Sequence, residues 1–169
     1  MMFDSLKLYL KQERASNTDL LAQTPVHLEK IKEHRQTGRI HYSGKLKNLS
    51  IYVSERGVSI RGSLAKYYLD DNLQTLTRQD TEQAINKLTD DLHIPVKKAD
   101  VFRIDFAYNF VMKYEPTIYY NYLGGSQYFS RFRQPKSLYY KNGKRTKLFY
   151  DKRSEAKNKA VELLQKNGQ

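Results

Sequence analysis

The sequence predicts an α+β fold in which three or four helices pack against a mainly antiparallel sheet. Short segments rich in Ile, Val and Tyr alternate apolar and polar residues, which is the period of a strand. Turn signals join several of these segments directly, so successive strands run antiparallel. Other segments repeat apolar residues at helical spacing behind capping signals. With 169 residues, the chain is expected to form a single domain over 1–169.

The first half is predicted to begin with a strand at 3–10. Thr24 and Pro25 form an N-cap and first-turn signal, which predicts a short helix that ends by Gly38. Three further strands are predicted at 39–46, 48–54 and 58–64. A tight hairpin at 55–57 joins the last two, with its glycine able to adopt positive φ.

The second half begins with a helix. Thr77 and Asp80 resemble a capping box, and the helix that they open ends before Pro95. The strongest strand signal is 101–112, which we expect to be a long central strand. The remaining predicted elements are a short helix at 116–123, a short strand at 128–132, a hairpin of strands 137–141 and 146–152 around Asn142-Gly143, and a final helix at 154–164.

Positive charge is the most unusual bulk property of the chain. There are 30 Lys and Arg against 18 Asp and Glu, a net charge of +12. Residues 130–169 hold 12 basic and 3 acidic side chains, so this segment carries +9 and the rest of the chain only +3. A local surplus of this kind is typical of a phosphate-binding face, the alternative being a solvated surface without a partner.

The sequence lacks the residues or motifs that several classes of chemistry require. There is no Cys, which excludes disulfides, Cys-ligated zinc and a thiol nucleophile. No Gly-x-Ser-x-Gly elbow and no glycine-rich phosphate loop is found. The absence of an apolar run of 18 residues and of a signal-peptide core predicts a soluble cytoplasmic protein with no membrane partner.

The predicted strand 101–112 carries a polar row. Arg103, Asp105 and Asn109 project to the same side of it. One interpretation is an Arg103–Asp105 ion pair on a solvated face, and the other is a divalent-metal or phosphate-facing site, since hard cations prefer oxygen ligands. No two histidines have the spacing of a metal pair on one strand. His41 stays a candidate metal ligand, because its predicted strand is a candidate neighbour of the strand of Asp105.

Tyrosines and cations alternate in the last third of the chain. Seven Tyr and eight Lys and Arg are interleaved between Tyr119 and Lys152. Aromatic rings stack on unpaired bases while cations follow the phosphate backbone, although packing in the core is the alternative for any single tyrosine. The candidate DNA-binding residues are Arg103, Arg131, Arg133, Lys136, Tyr139, Lys144, Arg145, Lys147 and Lys152.

Four segments occur in an order that resembles a known family. They are Gly62-Ser63-Leu64-Ala65-Lys66-Tyr67-Tyr68, Asn72-Leu73-Gln74-Thr75-Leu76-Thr77, Arg103-Ile104-Asp105-Phe106-Ala107 and Phe149-Tyr150-Asp151-Lys152-Arg153-Ser154-Glu155. As an ordered set they resemble the phage and plasmid replication initiators of the filamentous-phage gene II/gene X type. The resemblance covers roughly residues 2 to 160, and no single motif carries it.

The resemblance implies rolling-circle replication. Such initiators nick one strand at an origin with a tyrosine, assisted by a divalent metal, Mg²⁺ or Mn²⁺, and retain the 5′ end covalently. It implies Asp105 as a metal or site carboxylate, while Tyr150 and Tyr140 are candidate nucleophiles. The implied partners are origin DNA, as a single strand or a hairpin, and host replication proteins.

The sequence departs from the family pattern in two places. The paired-histidine metal strand of many rolling-circle nucleases is absent. In the family, the Tyr-Asp-Lys block precedes an Arg-x-Glu strand and a region with the nucleophilic tyrosine, whereas this sequence stops at Gln169 after one predicted helix. We therefore expect the N-terminal part of a longer initiator, a shortened relative, or a form that binds without cutting.

Three functions stay open from the sequence, and with them the question whether the chain is an enzyme. The first is binding of origin DNA, with catalysis completed elsewhere or lost. The second is a self-sufficient metal-dependent nickase that uses one of the tyrosines present. The third is a basic RNA-binding or structural protein.

Overall fold

The structure, a computed structural model, describes residues 2–36, 38–70, 76–108 and 110–154. The chain divides into two compact units, which we call unit 1 (Met1–Tyr108) and unit 2 (Asn109–Gln169). Unit 1 contains a six-stranded antiparallel sheet and unit 2 a three-stranded antiparallel sheet. With helices in both units, the predicted α+β class is confirmed.

The elements follow one another in this order along the chain. The strands are β1 (Met2–Lys11), β2 (Glu29–Gln36), β3 (Arg39–Leu46), β4 (Leu49–Ser54), β5 (Gly57–Gly62), β6 (Asp100–Ala107), β7 (Ser130–Gln134), β8 (Ser137–Lys141) and β9 (Thr146–Tyr150). The α-helices in the described ranges are α1 (Leu20–Gln23), α2 (Leu64–Leu69), α3 (Arg78–Leu92) and α4 (Pro116–Tyr119). The spatial order is β2-β3-β4-β5-β1-β6 in the large sheet and β7-β8-β9 in the small one.

The core of unit 1 lies on one face of the large sheet. Leu49, Ile51 and Val53 of β4 are buried, as the alternation predicted, and Val58 and Ile60 of β5 lie opposite Val53 and Ile51. Helices cover this face with buried side chains of their own, Leu20, Leu64, Ala65, Tyr67, Ala84, Leu88 and Leu92. Burial of these side chains supplies most of the stability of unit 1.

The hairpin between β4 and β5 requires its glycine. Ser54 pairs with Gly57 across a two-residue loop, and Gly57 has a φ of +148°. A Cβ at Gly57 would lie 2.2 Å from the carbonyl oxygen of Leu10. The predicted hairpin is therefore confirmed, and only glycine lets β1 approach β5 this closely.

The boundaries of α3 confirm the capping signals read from the sequence. The Thr77 hydroxyl accepts a hydrogen bond from the backbone N–H of Asp80, and the Asp80 carboxylate accepts one from the N–H of Thr77. The Thr77 hydroxyl also donates to the Asp80 carboxylate at 2.7 Å, and this hydrogen bond, together with the one from the Thr77 N–H, lowers the pKa of Asp80. The helix ends at Leu92, before His93 at a φ of +53° and ahead of Pro95.

The helix predicted from Thr24 is wrong. Asp19 instead caps α1 by accepting hydrogen bonds from the N–H groups of Leu21 and Ala22, and a 3-10 helix follows at Thr24–His27. Residues 29–36 form β2, a fully exposed edge strand paired with β3. This segment lacks an apolar stripe for a helix to bury, so pairing with β3 outweighs the local helix signal.

The strand around Asp105 also differs from its prediction. It ends at Ala107 rather than 112, and it lies at the edge of the sheet instead of the centre, because β1 inserts between β5 and β6. Other differences are small: β5 ends at Gly62 so that Ser63 caps α2, and the strand predicted at 128–132 starts at Ser130. The helix predicted at 154–164 lies outside the described residues except for Ser154.

Candidate nucleic-acid interface

Unit 2 has a small aromatic core. Tyr120, Leu138 and Tyr140 are buried, with exposed fractions of 2%, 0% and 5%, and Phe129 and Phe149 pack against them. Pro116 opens α4, as predicted, and Tyr120 follows the helix directly. One face of the small sheet is therefore used for packing.

Two predicted DNA-binding arginines hold the loop after α4. The Arg131 guanidinium donates to the carbonyl oxygens of Tyr120 at 2.7 Å and Leu123 at 3.0 Å. The Arg133 guanidinium donates to the side-chain oxygen of Asn121. Both side chains therefore have a structural role that composition does not reveal, and fewer of their N–H groups face solvent.

The two candidate nucleophiles occupy different environments. The Tyr140 hydroxyl is buried and donates to the carbonyl oxygens of Leu123 at 2.9 Å and Gly124 at 2.6 Å. Tyr150 ends β9 and is 40% exposed. The Lys152 ammonium lies 3.5 Å from the Tyr150 hydroxyl and 5.8 Å from the centre of its ring. Of the two, only Tyr150 presents its ring to solvent.

The turn between β8 and β9 displays four of the eight cations that are interleaved with the tyrosines. The Asn142 side chain accepts hydrogen bonds from the N–H groups of Lys144 at 3.0 Å and Arg145 at 2.7 Å, and the Asn142 N–H donates to the carbonyl of Arg145. The side chains of Lys144 and Arg145 are exposed, and exposed Lys141 and Lys147 flank the turn on β8 and β9. We call these four cations the basic turn. Lys136 is exposed at the other end of β8.

The second face of the small sheet carries a cross-strand apolar row. Phe132, Tyr139 and Leu148 lie directly opposite one another on β7, β8 and β9. Phe132 is 53% and Leu148 is 45% exposed, while Tyr139 is half-buried. The Lys141 ammonium lies 4.9 Å from the centre of the Tyr139 ring. Aromatic rings and a cation on a solvent-exposed sheet face can stack on unpaired bases.

Asp105 in unit 1 is held by two neighbours. The Arg103 guanidinium donates to one of its carboxylate oxygens at 2.7 Å, and the Ser5 hydroxyl donates to the other at 2.5 Å. Burial raises the pKa of Asp105, but the hydrogen bonds from Arg103 and Ser5 outweigh it and leave the pKa below its usual range. The geometry is that of an ion pair at the sheet edge, the first of the two interpretations open from the sequence.

His41 is not a neighbour of Asp105. Strands β4, β5 and β1 separate β3 from β6, so the expectation that the two strands are adjacent is wrong. His41 instead stacks on His34 of β2, with ring centres 5.0 Å apart and planes inclined by 8°. The two positions are directly opposite across the strand pair, which no sequence spacing reveals.

The described residues do not form a metal site. Among residues 5–36, 38–70, 76–108 and 110–154, no three His, Asp or Glu side chains come together as a ligand set. Both carboxylate oxygens of Asp105 already accept hydrogen bonds, and three strands separate the strand of His41 from that of Asp105. The Mg²⁺ or Mn²⁺ implied by the resemblance therefore does not fit these residues, and we derive no step through a metal.

Comparison with known proteins identifies the family. A family model described as the N-terminal region of the replication-associated gene II protein matches residues 2–167. The chain belongs to this family. It is therefore a replication-associated protein of the phage replication-initiator type, and the family resemblance inferred from the sequence is confirmed.

Neither the curated proteins nor the solved structures yield a significant match to the chain. No helix in the part of the chain that the structure describes is long and apolar enough to cross a membrane.

Proposed function

We propose that this replication-associated chain binds origin DNA as one initiator domain over residues 1–169, in the cytoplasm and alongside host replication proteins. Family membership supports the replication role. The observation that carries the DNA contact is the unbalanced positive charge of unit 2, which is concentrated at the basic turn.

The four cations of the basic turn form no ion pair with another described residue. Residues 110–154 contain ten basic and two acidic side chains. Every ion pair between described residues joins side chains that lie between Lys11 and Asp105, all in unit 1. Exposed cations without acidic partners gain most from phosphate, because binding releases the counterions condensed on DNA.

A charge-removal variant tests this proposal. We would change Lys144, Arg145 and Lys147 to Gln, which removes three charges and leaves a polar, uncharged side chain at each position. The wild-type protein and the variant would be titrated by fluorescence anisotropy with labelled duplex and hairpin fragments tiled across the replicon that encodes the chain. We expect the salt dependence of the binding constant to weaken by about 0.9 for each lost phosphate contact on duplex DNA.

The matched control changes Lys66, Arg78 and Lys97 to Gln. These are also two lysines and one arginine, and all three are exposed on the helical side of unit 1. We expect this control to keep the wild-type salt dependence. Equal binding by the wild-type protein and the basic-turn variant, with unchanged circular dichroism, would exclude the basic turn as the DNA contact.

Nicking is a second candidate function, and the exposure of Tyr150 favours it over Tyr140 as the nucleophile. A Tyr nucleophile that cuts DNA remains linked to the 5′ phosphate, so a covalent protein–DNA product is the specific readout. The wild-type chain, Tyr150→Phe and Tyr140→Phe would be incubated with supercoiled replicon DNA and Mg²⁺ or Mn²⁺. A covalent product that Tyr150→Phe abolishes and Tyr140→Phe retains would establish the assignment. Its absence from the wild-type reaction would leave binding as the activity of this chain.

A further inference from the structure

The large sheet of unit 1 has a second face that its core does not use. In β1 and β4 the buried side chains alternate with residues that point away from the helices. Lys7 and Tyr9 therefore project to the face opposite to that of Leu8 and Leu10. We call this second face the open face, and it carries one cross-strand row of cations and one of aromatic residues. Its side chains come from strands that are far apart in the sequence.

The first row consists of cations. Reading across β3, β4, β5, β1 and β6, the directly paired positions are Lys45, Ser50, Arg61, Lys7 and Arg103. All four cations are exposed. Neighbouring strands lie about 4.8 Å apart, so the row crosses roughly 20 Å of sheet.

The second row is aromatic and runs beside the first. Two residues further along each strand, the paired positions are Ser43, Tyr52, Ser59 and Tyr9. Tyr52 is 43% exposed, and its ring centre lies 5.2 Å from that of His41. The ring centres of Tyr9 and Phe102 are 5.6 Å apart in an edge-to-face arrangement. Strand geometry places the two tyrosines about 10 Å apart and the two rows about 7 Å apart.

The cation row is costly to the folded protein. Arg61, Lys7 and Arg103 lie directly opposite one another on three neighbouring strands, an arrangement that destabilises a sheet. Asp105 forms an ion pair with Arg103, and the charge of Arg61 also acts on this carboxylate from a longer distance. Lys7 and Arg61 form no ion pair of their own with another described residue. A bound polyanion would relieve this repulsion along the whole row.

We propose that the open face binds single-stranded DNA, whose phosphates follow the cation row while unpaired bases stack on Tyr52 and Tyr9. The inference rests on the proposed function in taking DNA as the polyanion, but it assigns a surface in unit 1 separate from the basic turn. Duplex DNA fits poorly, because its bases are already stacked and their faces cannot reach the rings.

Substitution at Tyr52 tests the stacking contact in the full chain. The probe is a labelled 12-nucleotide mixed-sequence DNA strand, titrated by anisotropy, with an RNA strand of the same sequence and the duplex fragment as further arms. We expect Tyr52→Ala to weaken binding of the DNA strand by roughly 5- to 150-fold, the range for loss of one base–aromatic stack. Tyr52→Phe keeps the ring and is expected to bind as the wild type does.

Charge removal tests the other row. We expect Lys7→Gln, Lys45→Gln and Arg61→Gln together to weaken the salt dependence of single-strand binding by about 0.7 for each lost contact. The Lys66, Arg78 and Lys97 control triple is expected to leave it unchanged. The basic-turn triple should weaken duplex binding more than single-strand binding.

The outcomes separate this inference from the proposed function. The inference would be overturned if Tyr52→Ala and the triple variant of Lys7, Lys45 and Arg61 both bound the DNA strand as tightly as the wild-type protein does. This holds whatever the result with duplex DNA. At least tenfold tighter binding of the RNA strand would overturn DNA as the ligand. If the wild-type protein binds the strand through the open face but no duplex or hairpin fragment, the inference stands and the proposed origin contact of the basic turn fails.

Discussion

Unit 1 and unit 2 are stabilised in different ways. Among its described residues, unit 1 buries 18 apolar or aromatic side chains in one cluster between the large sheet and its helices. The described part of unit 2 buries three, Tyr120, Leu138 and Tyr140, two of them with polar hydroxyl groups. In unit 2, hydrogen bonds from Arg131, Arg133 and Tyr140 to the loop after α4 supplement this small core.

The difference affects how basic residues in the two units are interpreted. A large apolar core tolerates a repulsive row of cations on its outer face, because many other contacts offset the cost. In unit 2, arginines also stabilise the fold, so a basic residue there cannot be assigned to DNA from composition alone. The sequence does not distinguish Arg131 from Arg145 as candidate DNA-binding residues, but only Arg145 lies on the basic turn.

The largest expected effect is the loss of unit 2 on truncation of its central leucine. Leu138 is completely buried, so Leu138→Ala should cost about 2–5 kcal/mol, which a core of three residues cannot absorb. We expect hydrogen exchange to show loss of amide protection in β7–β9 while α3 and β4 keep theirs. The matched change Leu88→Ala should weaken unit 1 without unfolding it. Retained protection in β8 of Leu138→Ala would contradict this view of unit 2.

The next effect concerns the Tyr140 hydroxyl. Tyr140→Phe keeps the ring but removes the donor to the Leu123 and Gly124 carbonyls, so we expect unit 2 to lose about 1 kcal/mol. Urea denaturation followed by hydrogen exchange within unit 2 measures it. Tyr139→Phe is the control, because the Tyr139 hydroxyl donates to no residue in the described ranges. Equal losses in the two variants would show that the hydroxyl of Tyr140 has no structural role.

A comparable or smaller effect is expected in unit 1 from its helix cap. Thr77→Ala removes the acceptor for the Asp80 N–H and should destabilise unit 1 by about 1 kcal/mol, with no effect on unit 2. Thr77→Ser retains the hydroxyl and should restore most of the loss. Chemical denaturation monitored by circular dichroism measures both, and a failure of Ser to restore stability would show that the cap hydrogen bond is not the cause.

The smallest effect is a change in pH dependence. Because the folded-state pKa of Asp105 is below its usual range, its ion pair stabilises unit 1 above the unfolded-state pKa of about 3.9, and this contribution is lost as pH falls through the lower folded-state value. Asp105→Asn should therefore be less stable than the wild type at neutral pH, with a difference that shrinks on acidification. Thermal denaturation between about pH 6 and pH 3 measures it. A constant difference would contradict the shifted pKa.

Local signals predicted most single elements correctly. They failed where pairing with distant strands determines the secondary structure or the position of a segment. The capping box of α3, the 55–57 hairpin and the β8–β9 hairpin are each specified by adjacent residues. Residues 29–36 carry a local helix signal but form β2, because β3 supplies a full set of backbone partners. The position of β6 at the edge depends on β1, nearly 100 residues earlier in the chain.

The candidate sites show the same division. The sequence identified the basic turn, because Asn142-Gly143 and its flanking cations are adjacent. It overlooked the open face, although the alternation of Leu6, Lys7, Leu8 and Tyr9 already predicted two unlike faces for β1. The alternation within each strand is visible in the sequence, but the sequence does not show which strands lie next to one another.

By itself the sequence determined the α+β class, the net positive charge and the two faces of each strand, because these depend on composition and on short-range periodicity. The family was indicated by the resemblance of four ordered segments. The tertiary structure decided which of those faces and charges act together. It aligned Lys45, Arg61, Lys7 and Arg103 in one row and assigned Arg131 to the carbonyls of Tyr120 and Leu123. Strand order and register depend on contacts between distant residues, and no local pattern encodes them.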